Sequence, residues 1–104
     1  MIRILLLAAA LAVSVPATAG DPVAGREKSK PCAVCHGENG VSAAPDFPKL
    51  AGQHRDYLER TLKDYKSGAR KSAIMAGQVG NLKPADIADL AAFYSSQQAL
   101  TTKY

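Results

Sequence analysis

The tightest constraint on this chain is the pentapeptide Cys32-Ala33-Val34-Cys35-His36, which holds both cysteines and one of the two histidines of a 104-residue sequence. Two thiols three positions apart with an imidazole directly after them can form a redox disulfide, part of a metal site, or an attachment point for haem. A thioredoxin-like disulfide sits where a strand of a βαβ pattern meets a helix, and no such pattern surrounds this motif. A structural zinc ion needs four tetrahedral ligands. The motif supplies three at most, and adjacent Cys35 and His36 are badly placed to reach one ion together. The C-x-x-C-H spacing is the attachment pattern of c-type haem. The thiols of Cys32 and Cys35 add across two vinyl groups on adjacent pyrroles, and the helix-like turn between them spaces the sulfurs along one ring edge. His36 then projects beneath the ring with a nitrogen at the iron.

The start of the chain agrees with that reading. Arg3 precedes an almost wholly apolar run over residues 4–15, Pro16 breaks it, and Ala17-Thr18-Ala19 offers a small-x-small cleavage site. This pattern predicts a secretory signal peptide over residues 1–19, removed after Ala19. The run is shorter than the roughly 20 residues a membrane span needs, so no stable membrane insertion is expected. Export in a bacterium leads to the periplasm, and c-type haem is attached after export. Residues 20–104 then form one small domain of 85 residues, near the size limit for a self-sufficient core. One short-loop disulfide would constrain little of it, whereas a buried apolar cofactor would stabilise it far more. Without Arg3 the chain carries 12 Lys/Arg against 9 Asp/Glu, a mild positive charge that could favour an anionic docking partner. No basic run with interleaved aromatics suggests nucleic acid.

Hydrophobic periodicity predicts an all-α chain with three main helices. The first opens at Asp21-Pro22, an N-cap acid with proline at the first helical position, and runs to about Ser29 because Pro31 cannot continue it. The second covers about 53–68, carries Tyr57, Leu58, Leu62 and Tyr65 on one side, and stops at Gly68. The third covers about 84–98 with an Ile87, Leu90, Ala91, Tyr94 stripe flanked by Phe93. Two long irregular segments, 37–52 and 68–83, lie between the helices. Loops of that length in so small a domain usually wrap something functional, and a flat cofactor between them accounts for both.

The far side of the iron calls for a soft or borderline donor. After residue 19 the candidates are Met75 and His54. Met75 lies in a segment punctuated by Gly68, Gly77 and Gly80, whose backbone can fold tightly over a ring face, and is the favoured ligand. His54 stands in a polar setting beside Gln53 and Arg55, and would give a bis-histidine centre of lower potential. An open sixth position would permit ligand binding or peroxide chemistry. A ligating histidine usually donates its other ring N–H to an acceptor. Pro48 and Pro45 are the candidates to supply that acceptor carbonyl, with Pro48 preferred.

With these residues in place, the sequence resembles a class I c-type cytochrome, and more narrowly one domain of the two-domain periplasmic cytochrome c-four type. The resemblance rests on "CAVCHGENG", "SAAPDFPKLAGQHRDYL", the methionine of "AIMAGQ" and "ADIADLAAFYSSQ". It implies Cys32 and Cys35 as haem thioethers, His36 and Met75 as axial iron ligands, and Pro48 as the carbonyl facing the proximal histidine. It also implies that Gly25 of the first helix crosses an aromatic of the last, either Phe93 or Tyr94. The chain has no second C-x-x-C-H, so one haem is expected. A serine that often caps the last helix in relatives is replaced here by Lys83-Pro84.

The expected function is that of a soluble periplasmic electron carrier and not an enzyme. Its donor would be a quinol-oxidising complex or a dehydrogenase, and its acceptor a terminal oxidase or reductase. Lys30, Lys49 and Lys71 could ring the exposed haem edge and steer such encounters. The competing readings are a haem-bearing subunit of a periplasmic dehydrogenase and an open-site, peroxidase-like enzyme.

Overall fold

A computed structural model describes residues 20–42 and 44–98. The expected signal peptide over residues 1–19 lies outside them. Five helices and no strand occur among the described residues: α1 (Pro22–Lys28), α2 (Lys30–His36), α3 (Arg55–Ser67), α4 (Ala73–Val79) and α5 (Pro84–Ser96). The three main helices of the sequence reading are α1, α3 and α5, with ends shifted by one or two residues.

Two expectations about the connections need correction. Pro31 does not merely end the first helix. Ser29 closes α1 and starts α2, and Pro31 falls in the first turn of α2, where its missing N–H costs nothing. The haem-attachment motif is therefore itself helical. The segment 68–83 is not a loop throughout, because it contains α4. Ser72 caps that helix by accepting from the Met75 N–H at 3.2 Å, and Gly77, read as punctuation, lies inside it.

The core is built on α5. Ile87, Leu90, Ala91, Phe93 and Tyr94 are all buried, so the stripe expected from periodicity and its flanking phenylalanine both face inward. Leu58 of α3 joins them, with Cys32, Leu50, Leu62 and Leu82 packed against the cluster. Helix α1 crosses α5 so closely that a Cβ on Gly25 would lie 2.0 Å from the Asp89 carbonyl oxygen and 2.7 Å from the Phe93 Cβ. Phe93 is thus the aromatic at the crossing, and the Arg26 guanidinium covers its ring at 5.6 Å. Tyr94 points elsewhere, against Gly40 of the 37–52 segment.

Polar contacts lock the same corner. Lys28 Nζ meets Asp86 at 2.8 Å and Asp89 at 2.5 Å, and Asp89 Oδ1 accepts from the Asp21 N–H at 2.8 Å. The start of α5, lacking a serine, is capped from within: Asp86 Oδ2 accepts from the Lys83 N–H at 2.8 Å, satisfying one of the donors a helix start leaves open.

Candidate haem site

Between α2, the 37–52 segment, α3, α4 and the buried side of α5 lies a cavity of about 410 Å³, within the size range of cofactor pockets. Each wall has a local cause. The turn of α2 puts Cys32, Cys35 and His36 on the cavity together, and both cysteines are free thiols. The 37–52 segment is pulled shut by the Gly40 carbonyl, which accepts from the Leu50 and Ala51 N–H groups at 2.8 and 3.1 Å. Gly40 has φ +79°, and a Cβ there would strike the Tyr94 ring at 2.8 Å, so glycine serves both the turn and the close approach. The Gly52 N–H then donates to the Tyr94 carbonyl at 2.9 Å, tying the segment to the end of α5.

This closure brings Pro48, not Pro45, opposite His36. The imidazole is buried, and its Nδ1–H donates to the Pro48 carbonyl at 2.7 Å. A carbonyl can only accept, so Nδ1 carries a proton; in the neutral imidazole Nε2 then keeps its lone pair, the form a metal ligand requires. The Phe47 ring stands edge-on to the imidazole at 6.4 Å. Helix α4 packs on α3 and brings the half-buried Met75 to the cavity. His54 does not line it: the residue is exposed and serves as the N-cap of α3.

The remaining lining is largely apolar and aromatic, including Leu50, Leu58, Leu62, Val79, Leu82 and Leu90. Tyr94 also lines it, with a buried hydroxyl that meets no hydrogen-bond partner among the described residues. Burial, and after it the neighbouring Cys32, push the Tyr94 phenol well above its ordinary pKa. Burial likewise raises the Cys32 thiol. These residues fit a haem: a largely apolar slot, two unpaired thiols on one helical turn, an imidazole whose Nδ1 is already engaged, and a thioether on the lining. No cluster of three or more metal-ligating side chains suited to a bare ion occurs among the described residues.

The cytochrome c family pattern matches residues 23–98. The chain belongs to the cytochrome c family. It is 48% identical over 80 residues to cytochrome c4 of Pseudomonas aeruginosa, covering 77% of this chain and 40% of that protein. It is 46% identical over 83 residues to cytochrome c-554(548) of Halomonas halodenitrificans, covering 77% of this chain and 100% of the relative. The fold is similar to that of reduced recombinant cytochrome c4 from Pseudomonas stutzeri, with a TM-score of 0.73 and 43% identity over 76% of this chain and 46% of that one. The chain thus spans less than half the length of the cytochrome c4 relatives and the whole of the cytochrome c-554(548) relative. As a member of this family it carries covalently bound haem c.

Three features of the site escaped sequence reasoning. One is α4, whose signal was Ser72 followed by a stretch with no proline. Another is the rim formed by Tyr57, Tyr65 and Arg70, in which only the tyrosine spacing was visible. The third is the division of labour between Phe93 and Tyr94. The three lysines expected at the haem edge differ in setting: Lys30 is paired with Glu27 at 2.8 Å, Lys49 lines the cavity, and Lys71 is exposed.

Proposed function

We propose that the protein is a periplasmic carrier of single electrons whose haem is bridged by Cys32 and Cys35 and held axially by His36 and Met75. The observation that carries this reading is the buried His36 ring, its Nδ1–H committed to the Pro48 carbonyl at 2.7 Å, in a cavity that Met75 of α4 also lines. Bound haem supplies a one-electron iron couple. The protein's residues govern how that couple behaves. Pro48 fixes the His36 tautomer and ring direction. Met75, a thioether, favours ferrous iron and raises the potential above that of a bis-histidine centre. The apolar walls exclude water, which disfavours the additional positive charge of the ferric state. With His36 and Met75 both holding the iron, substrate would have no open position there, and the chain would act as a carrier and not an enzyme. No described helix is long and apolar enough to cross a membrane, in keeping with short encounters in the periplasm between a quinol-oxidising complex or dehydrogenase and a terminal oxidase or reductase. Such encounters need only small, weak interfaces.

The test is the ferric near-infrared spectrum of the wild type and Met75→Ala. A sulfur-to-iron charge-transfer band is expected in the wild type and lost in the variant, with carbon monoxide binding readily to the reduced variant and poorly to the wild type. A wild-type spectrum without the band would assign the sixth position to His54 or leave it open.

A further inference from the structure

Tyr94 carries a polar atom that the protein alone does not satisfy. The residue is 3% exposed, and its buried hydroxyl meets no hydrogen-bond partner among the described residues. A hydroxyl left in that condition bears the full cost of its desolvation. The ring does not need the oxygen for packing, since its contact with Gly40 is made by the Cδ1–Cε1 edge. Two polar side chains are near enough to act on the phenol, Cys32 and Ser29. They stand three residues apart at the start of α2, the spacing that puts two side chains on one helical face. Ser29 spends its own hydrogen on the Arg26 carbonyl, which its Oγ meets at 2.7 Å. Cys32 is uncommitted: its thiol is free, it packs against the cluster that contains Tyr94, and both residues line the cavity. Burial pushes the Tyr94 phenol upward, so the group keeps its proton and remains a donor.

A thiol has a hydrogen of its own to place, whereas a thioether offers only lone pairs. Bridging to haem therefore leaves the Cys32 sulfur a pure acceptor beside a donor that lacks a partner. The haem carboxylates cannot take its place, because they lie on the ring edge away from the vinyl groups, where Cys32 does not bond. We propose that in the haem-loaded protein the Tyr94 hydroxyl donates to the sulfur of the Cys32 bridge, which makes Tyr94 the positioning residue of that bridge. This rests on the haem reading above. The contact ties the buried face of α5 to α2 at the point of cofactor attachment. It also gives a reason for the order of the two aromatics on α5. Phe93 sits where α1 crosses, against Gly25, and has no acceptor to serve. Tyr94 faces the attachment turn, where an acceptor arrives with the cofactor.

The experiment compares the haem-loaded wild type with haem-loaded Tyr94→Phe, which keeps the ring and removes the oxygen. Proton NMR of the ferrous, diamagnetic wild type is expected to show a Tyr94 hydroxyl signal in slow exchange with solvent, with a nuclear Overhauser contact to the Cys32 β-protons. In Tyr94→Phe the Cys32 β-proton and β-carbon signals should shift while those of Cys35 stay in place. The variant should also melt lower than the wild type by on the order of 4 °C, as the loss of one hydrogen bond from a domain of this size predicts. A hydroxyl in fast exchange with solvent, or one whose contact is to Ser29 and not to Cys32, would overturn the inference. So would equal shifts at both bridges. Tyr94→Phe melting at or above the wild type would overturn it too, since that is the sign expected of a hydroxyl still unpaired beside bound haem. All of these outcomes leave the haem reading standing, whereas a wild-type chain that takes up no haem would overturn that reading as well.

Discussion

Gly25 is where a single side chain decides whether two helices can meet. With no Cβ, α1 lies directly on the α5 backbone at Asp89 and on Phe93, and any larger residue must displace main chain and not a flexible side-chain tip. Gly25→Ala is therefore expected to destabilise the haem-loaded protein by at least about 2 kcal/mol through overpacking, or roughly 10 °C in Tm for a domain of this size, measured by thermal unfolding followed by circular dichroism. A variant melting within a degree or two of the wild type would show that α1 can move off α5 without cost. Tyr94, one residue beyond Phe93, has a different task. It packs on Gly40 and lines the cavity beside Cys32, so adjacent aromatics on one helix serve the helix crossing and the cofactor slot separately.

At the scale of elements, the α1–α5 corner is electrostatic as well as steric. Hydrogen bonding to Lys28, then to a backbone N–H (Lys83 for Asp86, Asp21 for Asp89), holds both carboxyls below their ordinary value of 3.8. Asp86 and then Asp89 hold Lys28 above its ordinary 10.5. For carboxylates with a depressed folded-state pKa, the stabilisation is fully present above the ordinary value and is lost as pH falls through the depressed one. For the lysine it is fully present below 10.5 and lost as pH rises through the raised value. The corner should thus contribute a constant amount across neutral pH and weaken below about pH 4. Lys28→Met is expected to lower stability at pH 7 and to flatten the decline of stability below pH 4, as read from denaturant midpoints across that range. A variant with the same acid slope as the wild type would show that these aspartates do not drive the acid response. The short helices obey a different logic. Helices α2 and α4 have seven residues each, too few to persist alone in water, and each is stabilised by packing on α1 or α3.

At the scale of the whole molecule, the cavity explains why so small a chain needs its cofactor. The cavity of about 410 Å³ is walled largely by apolar side chains, and without the cofactor that apolar surface would face water, a large loss for a domain of marginal stability. Produced without haem, the chain is expected to keep much of its helical far-ultraviolet signal while losing near-ultraviolet structure and a cooperative thermal transition. A haem-free chain that unfolds in one sharp step would show that the protein core, built on α5, suffices without the cofactor. The sequence spans all of the cytochrome c-554(548) relative but only 40% of cytochrome c4.

Much of this was legible before the structure, for reasons that are local. The C-x-x-C-H spacing, the Asp21-Pro22 start, the Gly68 stop and the α5 stripe each depend on residues within a turn or two of one another. The chemistry of thiols and imidazole and the 3.6-residue period of a helix are sufficient to interpret them. Tertiary structure alone decided what depends on the path of the chain between distant residues. It placed Pro48 rather than Pro45 opposite His36, because the Gly40 carbonyl closes the segment on Leu50 and Ala51. It assigned Phe93 to the helix crossing and Tyr94 to the cavity, because the angle at which α1 meets α5 is set by contacts from both helices. It made a helix around Met75, where glycines suggested a loop, because Ser72 caps it and α3 covers it. It also carried Arg70 to the cavity rim, since a turn measured in residues says nothing of the wall it returns to until the other walls are in place.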